Sequence, residues 1–171
     1  MRPWRKLSER DVYRGYRHVV ARRFELPDGS EAEFEVIVNP ETVAVLALTT
    51  EREVVLVREF RPGPERTLLE LPGGLVDDGE DPLAAAGREL LEETGYEGDV
   101  RLAGVHVASA YSTHRKHTAL ATGCRRGGDP APDEHVEVVL MPLAEFREHL
   151  RGGNLTDVAI GYQALDALNL L

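Results

Sequence analysis

Hydrophobic and polar positions divide this chain into short strands and a few helices. Residues 19–26 and 32–38 are strand-like runs, and the second starts with an in-and-out alternation at Ala32, Phe34 and Val36. Pro27-Asp28-Gly29-Ser30 between them carries turn chemistry, so the pair predicts a hairpin. Residues 43–48 (VAVLAL) and 54–57 (VVLV) are nearly continuous apolar runs. Such runs predict paired strands buried on both faces. Residues 68–71 predict a third strand feeding a Gly73-Gly74 loop. Residues 105–108 and 118–121 predict two more around a polar loop at 109–116. Residues 125–132 (RRGGDPAP) predict a surface loop, followed by a strand over 136–140. A short helix starts near Leu143 and breaks at Gly152-Gly153. Thr156 is the expected cap of a last helix carrying Ile160, Ala164 and Leu168.

The sharpest pattern lies between Leu71 and Tyr96. Asp81 suits an N-cap and Pro82 the first helical position. Leu83, Ala86, Leu90 and Thr94 then recur with helical spacing and predict a core-facing stripe. Gly95 suits the left-handed residue that ends helices. Away from the stripe, Glu89, Glu92 and Glu93 stand at i, i+3 and i+4, so their carboxylates share one side. Two carboxylates ~5 Å apart repel by roughly 3 kcal/mol at an effective dielectric of about 20, and far less when fully solvated. The helix dipole adds to the discomfort at this end. A divalent cation with hard oxygen ligands turns repulsion into coordination. On the carboxylates alone a solvated acidic face, with Arg88 pairing Glu92, explains the pattern as well.

Composition narrows the choice. At 171 residues, 42% apolar and 29% charged, the chain suits one domain, or one domain with a small appendage. No apolar run approaches membrane-spanning length, and no apolar segment behind Arg2 and Arg5 makes a secretory signal. Cys124 has no partner thiol and reads as a small core residue. A cytoplasmic protein is the expectation. The net charge of −10 argues against nucleic-acid and membrane-surface binding. A phosphate substrate stays open, because cations and a few arginines invert the field locally.

The spacing settles what the carboxylates alone do not. Gly74, five residues, Glu80, seven residues, then Arg88-Glu89-Leu90-x-Glu92-Glu93-x-Gly95-Tyr96 resembles the signature of the Nudix hydrolases. Tyr96 stands where that pattern asks for a bulky aliphatic, and an aromatic fills the same packing role. The phrases EFRP, ELPGG and DDGE within residues 55–96 resemble the ADP-ribose and nucleotide-sugar pyrophosphatase branch. The expected fold is therefore α/β (α+β), a Nudix fold with a mixed β-sheet packed between helices and an N-terminal antiparallel β-sheet. The expected division is residues 1–40, an extension for dimerisation and substrate stacking, and residues 41–171, the Nudix hydrolase domain.

The resemblance implies a pyrophosphatase that cuts a nucleoside diphosphate joined to another group, with ADP-ribose giving AMP and ribose 5-phosphate. It implies Mg²⁺ or Mn²⁺ as cofactor. Glu89 and Glu93 would be ligands, Glu92 a ligand or orienting partner, and the Gly73 carbonyl a further ligand. Arg88 would hold the glutamates, Glu80 would stabilise the loop–helix junction, and Gly74 and Gly95 would be structural. Glu134, with Asp133 beside it, matches a loop acid that shares catalysis in related pyrophosphatases. Arg61 matches an arginine that grips phosphates or base. Phe34 matches a base-stacking aromatic, often supplied by the partner of a homodimer.

Two features depart from the branch. No proline occurs between Pro82 and Pro130, where ADP-ribose hydrolases usually carry one, and residues 112–116 are basic where an acid is often found. With Tyr111, these keep dinucleoside polyphosphates and nucleoside triphosphates open as substrates. A non-catalytic metabolite-binding domain is the remaining alternative, although such a domain is expected to lose glutamates that this chain keeps.

Overall fold

The computed structural model describes residues 2–131 and 135–171. Its contacts gather into two compact units, Met1–Glu41 with His106–Arg115 and Thr42–Val105 with Lys116–Leu171. In the first unit, β1 (Arg5–Arg14), β2 (His18–Glu25) and β3 (Glu31–Val38) form an antiparallel sheet in sequence order. The predicted hairpin is β2–β3. Its turn is closed by Leu26 N–H on the Ser30 carbonyl (2.8 Å) and by the Asp28 side chain, which accepts from Ser30 N–H (3.0 Å). Gly29, at φ 85°, supplies the left-handed step.

β1 escapes hydrophobic patterning because ion pairs hold it. Arg22 Nε meets Glu9 at 2.7 Å, Arg10 reaches Glu33 at 2.6 Å, and Arg5 pairs Glu25. These pairs are largely solvent-facing, so each adds little stability while helping to fix register. Residues 106–115 join this unit through Ile37 N–H on the Tyr111 carbonyl and Thr113 N–H on the Ile37 carbonyl, both 2.9 Å.

The second unit contains β4 (Thr42–Thr49), β5 (Glu53–Arg61), β6 (Arg66–Glu70), β7 (Gly73–Leu75), α1 (Pro82–Thr94) and, as far as Val105, β8 (Tyr96–Val107). It continues with β9 (Arg115–Arg126), β10 (Glu137–Pro142), α2 (Leu143–Gly152) and α3 (Val158–Ala167). The sheet order is β10-β5-β4-β9-β8, with β6 on β5 and β7 on β4. β4 runs parallel to β9 along one edge. Its other edge is shared: Thr42 to Ala44 pair with β7, and Ala47 and Leu48 pair with β5. The mixed sheet follows from this sharing.

β4 is buried on both faces, as its sequence predicts. Ala44 and Leu46 join Leu56, Leu120, Phe146, Leu150, Ile160 and Leu165 on the side of α2 and α3. Val43, Val45 and Ala47 join Ala85, Ala86, Leu90, Ala119 and Cys124 on the side of α1. The mixed sheet is thus packed between helices. Burial pushes the Cys124 thiol up to about 11.

Several local expectations are corrected. Gly73-Gly74 is not a loop but a short strand, because β4 offers it an open edge. The stripe of α1 holds at Ala86, Leu90 and Thr94, which are buried, but not at Leu83, which is exposed while Ala85 takes the buried place. β8 and β9 are far longer than their apolar centres, since much of β8 is exposed and carries charges. Thr156 does not cap α3; Asp157 holds that position without a side-chain cap bond, and Thr156 is engaged elsewhere.

Candidate active site

Three local decisions build the acidic helix. The Asp81 side chain accepts from Leu83 N–H at 2.9 Å, Pro82 opens the first turn, and Gly95 closes the last one at φ 71°. Burial of Ala85, Ala86, Leu90 and Thr94 then fixes the rotation of the helix, so the side carrying Glu89 and Glu93 meets β7. Gly73 N–H donates to Glu93 Oε2 at 2.8 Å. A Cβ on Gly74 would lie 2.5 Å from Glu89 Oε1 and 2.6 Å from Oε2. The two carboxylates therefore rest against consecutive glycines. Glycine is required at Gly73 by close approach of backbone, because a Cβ there would lie 2.2 Å from the Val43 carbonyl oxygen, whereas a Cβ at Gly74 would displace the Glu89 carboxylate.

Arg88 organises the acids around it. Its Nε and Nη2 donate to the two oxygens of Glu80, each at 2.9 Å, and Nη2 also donates to the Leu75 carbonyl at 3.0 Å. Nη1 donates to Glu89 at 2.8 Å and to Glu92 at 3.1 Å. The guanidinium is held firmly protonated by these bonds, that to Glu80 foremost. In return, Arg88, with help from Asp77 N–H, holds the Glu80 carboxyl down to about 2. Glu80 also accepts from Asp77 N–H at 3.0 Å, closing the turn that leads into α1.

Among the described residues no three acidic, histidine or cysteine side chains yet converge on one point. Glu89 and Glu92 lean to Arg88, and Glu93 leans to Gly73. The donor set nevertheless fits a hard divalent cation: carboxylates on successive helical turns, beside the backbone of two glycines that leave room for close approach.

The loop after β9 is tied to the end of the same helix. Gly127 and Gly128 N–H donate to the Gly95 carbonyl at 2.8 and 3.1 Å, and Ala131 N–H donates to the Glu92 carbonyl at 2.7 Å. Glu134 and Asp133, the sequence candidates from this loop, lie outside the described residues.

Arg61 ends β5, with Nη1 3.0 Å from Glu59 Oε1 and Nε 3.4 Å from Glu70 Oε1. Glu70 itself is wholly buried. Sequence reasoning passed over it, although an acid between Leu69 and Leu71 in an apolar strand is a signal in its own right. Phe34 belongs to the first unit. There it stacks on Trp4 (centroids 5.6 Å apart, 28° between planes) and tilts against Tyr111 at 6.3 Å. These rings, with Phe24 and Arg22, line a pocket of about 350 Å³.

Known proteins resemble this chain in sequence and in fold. The family model described as the NUDIX domain matches residues 38–158. The chain is 32% identical over 143 residues to an ADP-ribose pyrophosphatase of Bacillus subtilis, covering 81% of this chain and 77% of that protein. It is 31% identical over 150 residues to a methanol dehydrogenase activator of Bacillus methanolicus, covering 82% and 81%. A solved structure of an ADP compounds hydrolase superposes with a TM-score of 0.82 at 23% identity, covering 100% of this chain and 98% of the other, which speaks to the fold.

Proposed function

The chain belongs to the NUDIX family, and from that premise we propose that it cleaves the pyrophosphate linkage of ADP-ribose or a similar nucleoside diphosphate sugar. The observation that carries this reading is the meeting of Glu89 and Glu93 with Gly73-Gly74 under the Arg88 clamp. The substrate class is supported by the relatives named ADP-ribose pyrophosphatase and by an ADP-sugar pyrophosphatase of Mus musculus, 37% identical over 118 residues. A nucleoside diphosphate sugar is met in the cytoplasm, where the enzyme is expected to act.

Phosphoryl transfer is chiefly positioning and charge neutralisation. Glu89, Glu92, Glu93 and the Gly73 carbonyl would hold Mg²⁺ or Mn²⁺, which would neutralise the diphosphate and acidify an attacking water. Arg88 keeps Glu89 and Glu92 from splaying and, through Glu80, ties them to the preceding turn. Arg61 offers planar donors for the phosphates. Glu134 would take the proton of the attacking water. Ala131 N–H is fastened to the Glu92 carbonyl. Phe34 and its neighbouring rings would stack the base. A homodimer is part of this reading, since Val12, Tyr13 and Tyr16 of the N-terminal sheet are exposed.

Tyr111 favours a second reading. It lies in the same aromatic pocket as Phe34, and residues 112–116 after it are basic, as a dinucleoside polyphosphate would require. A panel of ADP-ribose, other nucleotide-sugars, dinucleoside polyphosphates and nucleoside triphosphates, with products identified by mass, separates the readings. AMP and ribose 5-phosphate from ADP-ribose are expected. Inert ADP-ribose beside rapidly cleaved diadenosine polyphosphates would overturn the first reading.

A further inference from the structure

Glu70 is a charged side chain with no solvent exposure, at the end of β6 and three residues before Gly73. Burying a carboxylate is costly unless donors surround it. Here they do. Oε2 accepts from Thr156 N–H at 2.8 Å and from Thr156 Oγ1 at 3.0 Å, while Oε1 faces Arg61 Nε at 3.4 Å. Thr156 lies just before α3, so one acid links β6, the end of β5 and the approach to the last helix.

If packing alone were needed, an apolar residue of similar volume would serve as well or better, because buried ion pairs seldom add net stability. What the acid supplies is direction. Arg61 is half-buried between two carboxylates, Glu70 on Nε and Glu59 on Nη1 (2.9 Å to Oε2), and neither of them engages Nη2. A guanidinium is a rigid planar fork, so fixing two of its nitrogens aims the third.

We propose that Glu70 is a positioning residue: buried and braced by Thr156, it sets the plane of Arg61 so that the free edge of the guanidinium meets an anionic oxygen of the substrate. The inference rests on the reading above, in which Arg61 binds phosphate. Glu70 touches no substrate and acts only through Arg61. Glu59, no more exposed than Arg61 itself, holds only Nη1, and a single held nitrogen leaves the fork free to rotate until Glu70 adds the second.

Three measurements on the full chain test this. The Arg61 Nε–H resonance, assigned by its loss in Arg61→Lys, should be shifted in Glu70→Gln, whose amide keeps the volume but removes the charge facing Nε. With ADP-ribose, Glu70→Gln should raise KM by about ten-fold with kcat within about two-fold, as loss of a charge-assisted contact made equally in ground and transition states predicts. In an Arg61→Ala background, Glu70→Gln should change KM no further. Thr156→Val, which removes the hydroxyl donor but not the backbone one, should move KM in the same direction, and Thr156→Ser should behave as the parent; these two decide the matter should Glu70→Gln fold poorly. An unmoved Nε signal, additive effects in the double variant, or a fall in kcat at constant KM would each overturn the proposal. A parent enzyme inert toward every nucleoside diphosphate would overturn the functional reading instead, and the Nε signal would still decide whether Glu70 orients Arg61.

Discussion

Glutamate and glutamine differ in charge and hardly in volume, so Glu93→Gln separates chemistry from folding. The amide oxygen can still accept from Gly73 N–H, the contact Glu93 makes at 2.8 Å. Its neutral oxygen is a far poorer ligand for a hard cation. The expected result is an unchanged melting temperature and a kcat lower by about 10³-fold or more, in the range that loss of electrostatic stabilisation costs. A variant with parental kcat would remove Glu93 from the metal site. Glu80 makes a different prediction, through pH. Arg88 foremost depresses its carboxyl from an ordinary value of 4.5 to about 2 in the folded chain. Above pH 4.5 the group is ionised folded and unfolded alike, and its bond to Arg88 contributes fully. As pH falls from there toward about 2, the unfolded chain takes up the proton first, and the contribution is lost. The stability advantage of the parent over Glu80→Gln should therefore be full near neutral pH and shrink through that acidic window. Melting curves showing an advantage that grows on acidification would contradict the assignment.

Local signals act within one element, and α1 shows how far they carry. Asp81→Ala removes the cap bond to Leu83 N–H and should cost about 1 kcal/mol of stability without touching kcat. Gly95→Ala should cost more, because φ 71° strains a Cβ by about 1–2 kcal/mol and that Cβ would also lie 2.3 Å from the Gly128 carbonyl oxygen. Denaturant titration of the two variants checks both size and order. The ends of this helix were legible in the sequence because capping chemistry is local, and its acids were legible because their spacing is fixed by the helix. Its buried face is legible at Ala86, Leu90 and Thr94 and fails only at Leu83, since Leu83 and Ala85 are distinguished only by what packs on them. β1 was invisible: its partners are charges, and periodicity weighs apolar residues. β7 was read as a loop because two glycines disguise a strand that exists only by virtue of the free edge of β4. Thr156 was read as a cap because capping is what a threonine near a helix usually does. Its true partner, Glu70, lies 86 residues away in the chain, beyond the reach of any spacing argument.

For the molecule as a whole, the proposed function assigns the diphosphate to one unit and the base to the other, two groups that call for opposite chemistries. The unit built around α1 gathers carboxylates and arginines, and the N-terminal unit gathers Trp4, Phe24, Phe34 and Tyr111 around a pocket. Chelation should act on the first alone: hydrolysis should cease when divalent ions are stripped and return with Mg²⁺ or Mn²⁺, while undiminished turnover after chelation would sink the metal-dependent mechanism. Phe34→Ala should act on the second alone. Phe34 stacks on Trp4 at 5.6 Å, so removing the ring takes away one wall of the pocket without touching a glutamate or an arginine. Stacking on a base is made in the ground state and kept in the transition state, and losing such uniform binding raises KM with little change in kcat. A rise of about ten-fold corresponds to about 1.4 kcal/mol, close to what one aromatic contact supplies. The same variant should leave the Mg²⁺ concentration for half-maximal rate unaltered, which sets it apart from every change on α1. The two substrate readings diverge here too, for a dinucleoside polyphosphate carries a second base. Comparing the KM change for ADP-ribose with that for a nucleoside triphosphate of the same base isolates the base itself. Equal changes would assign the pocket to the nucleobase, and a change confined to one substrate would assign it to the other end of that molecule.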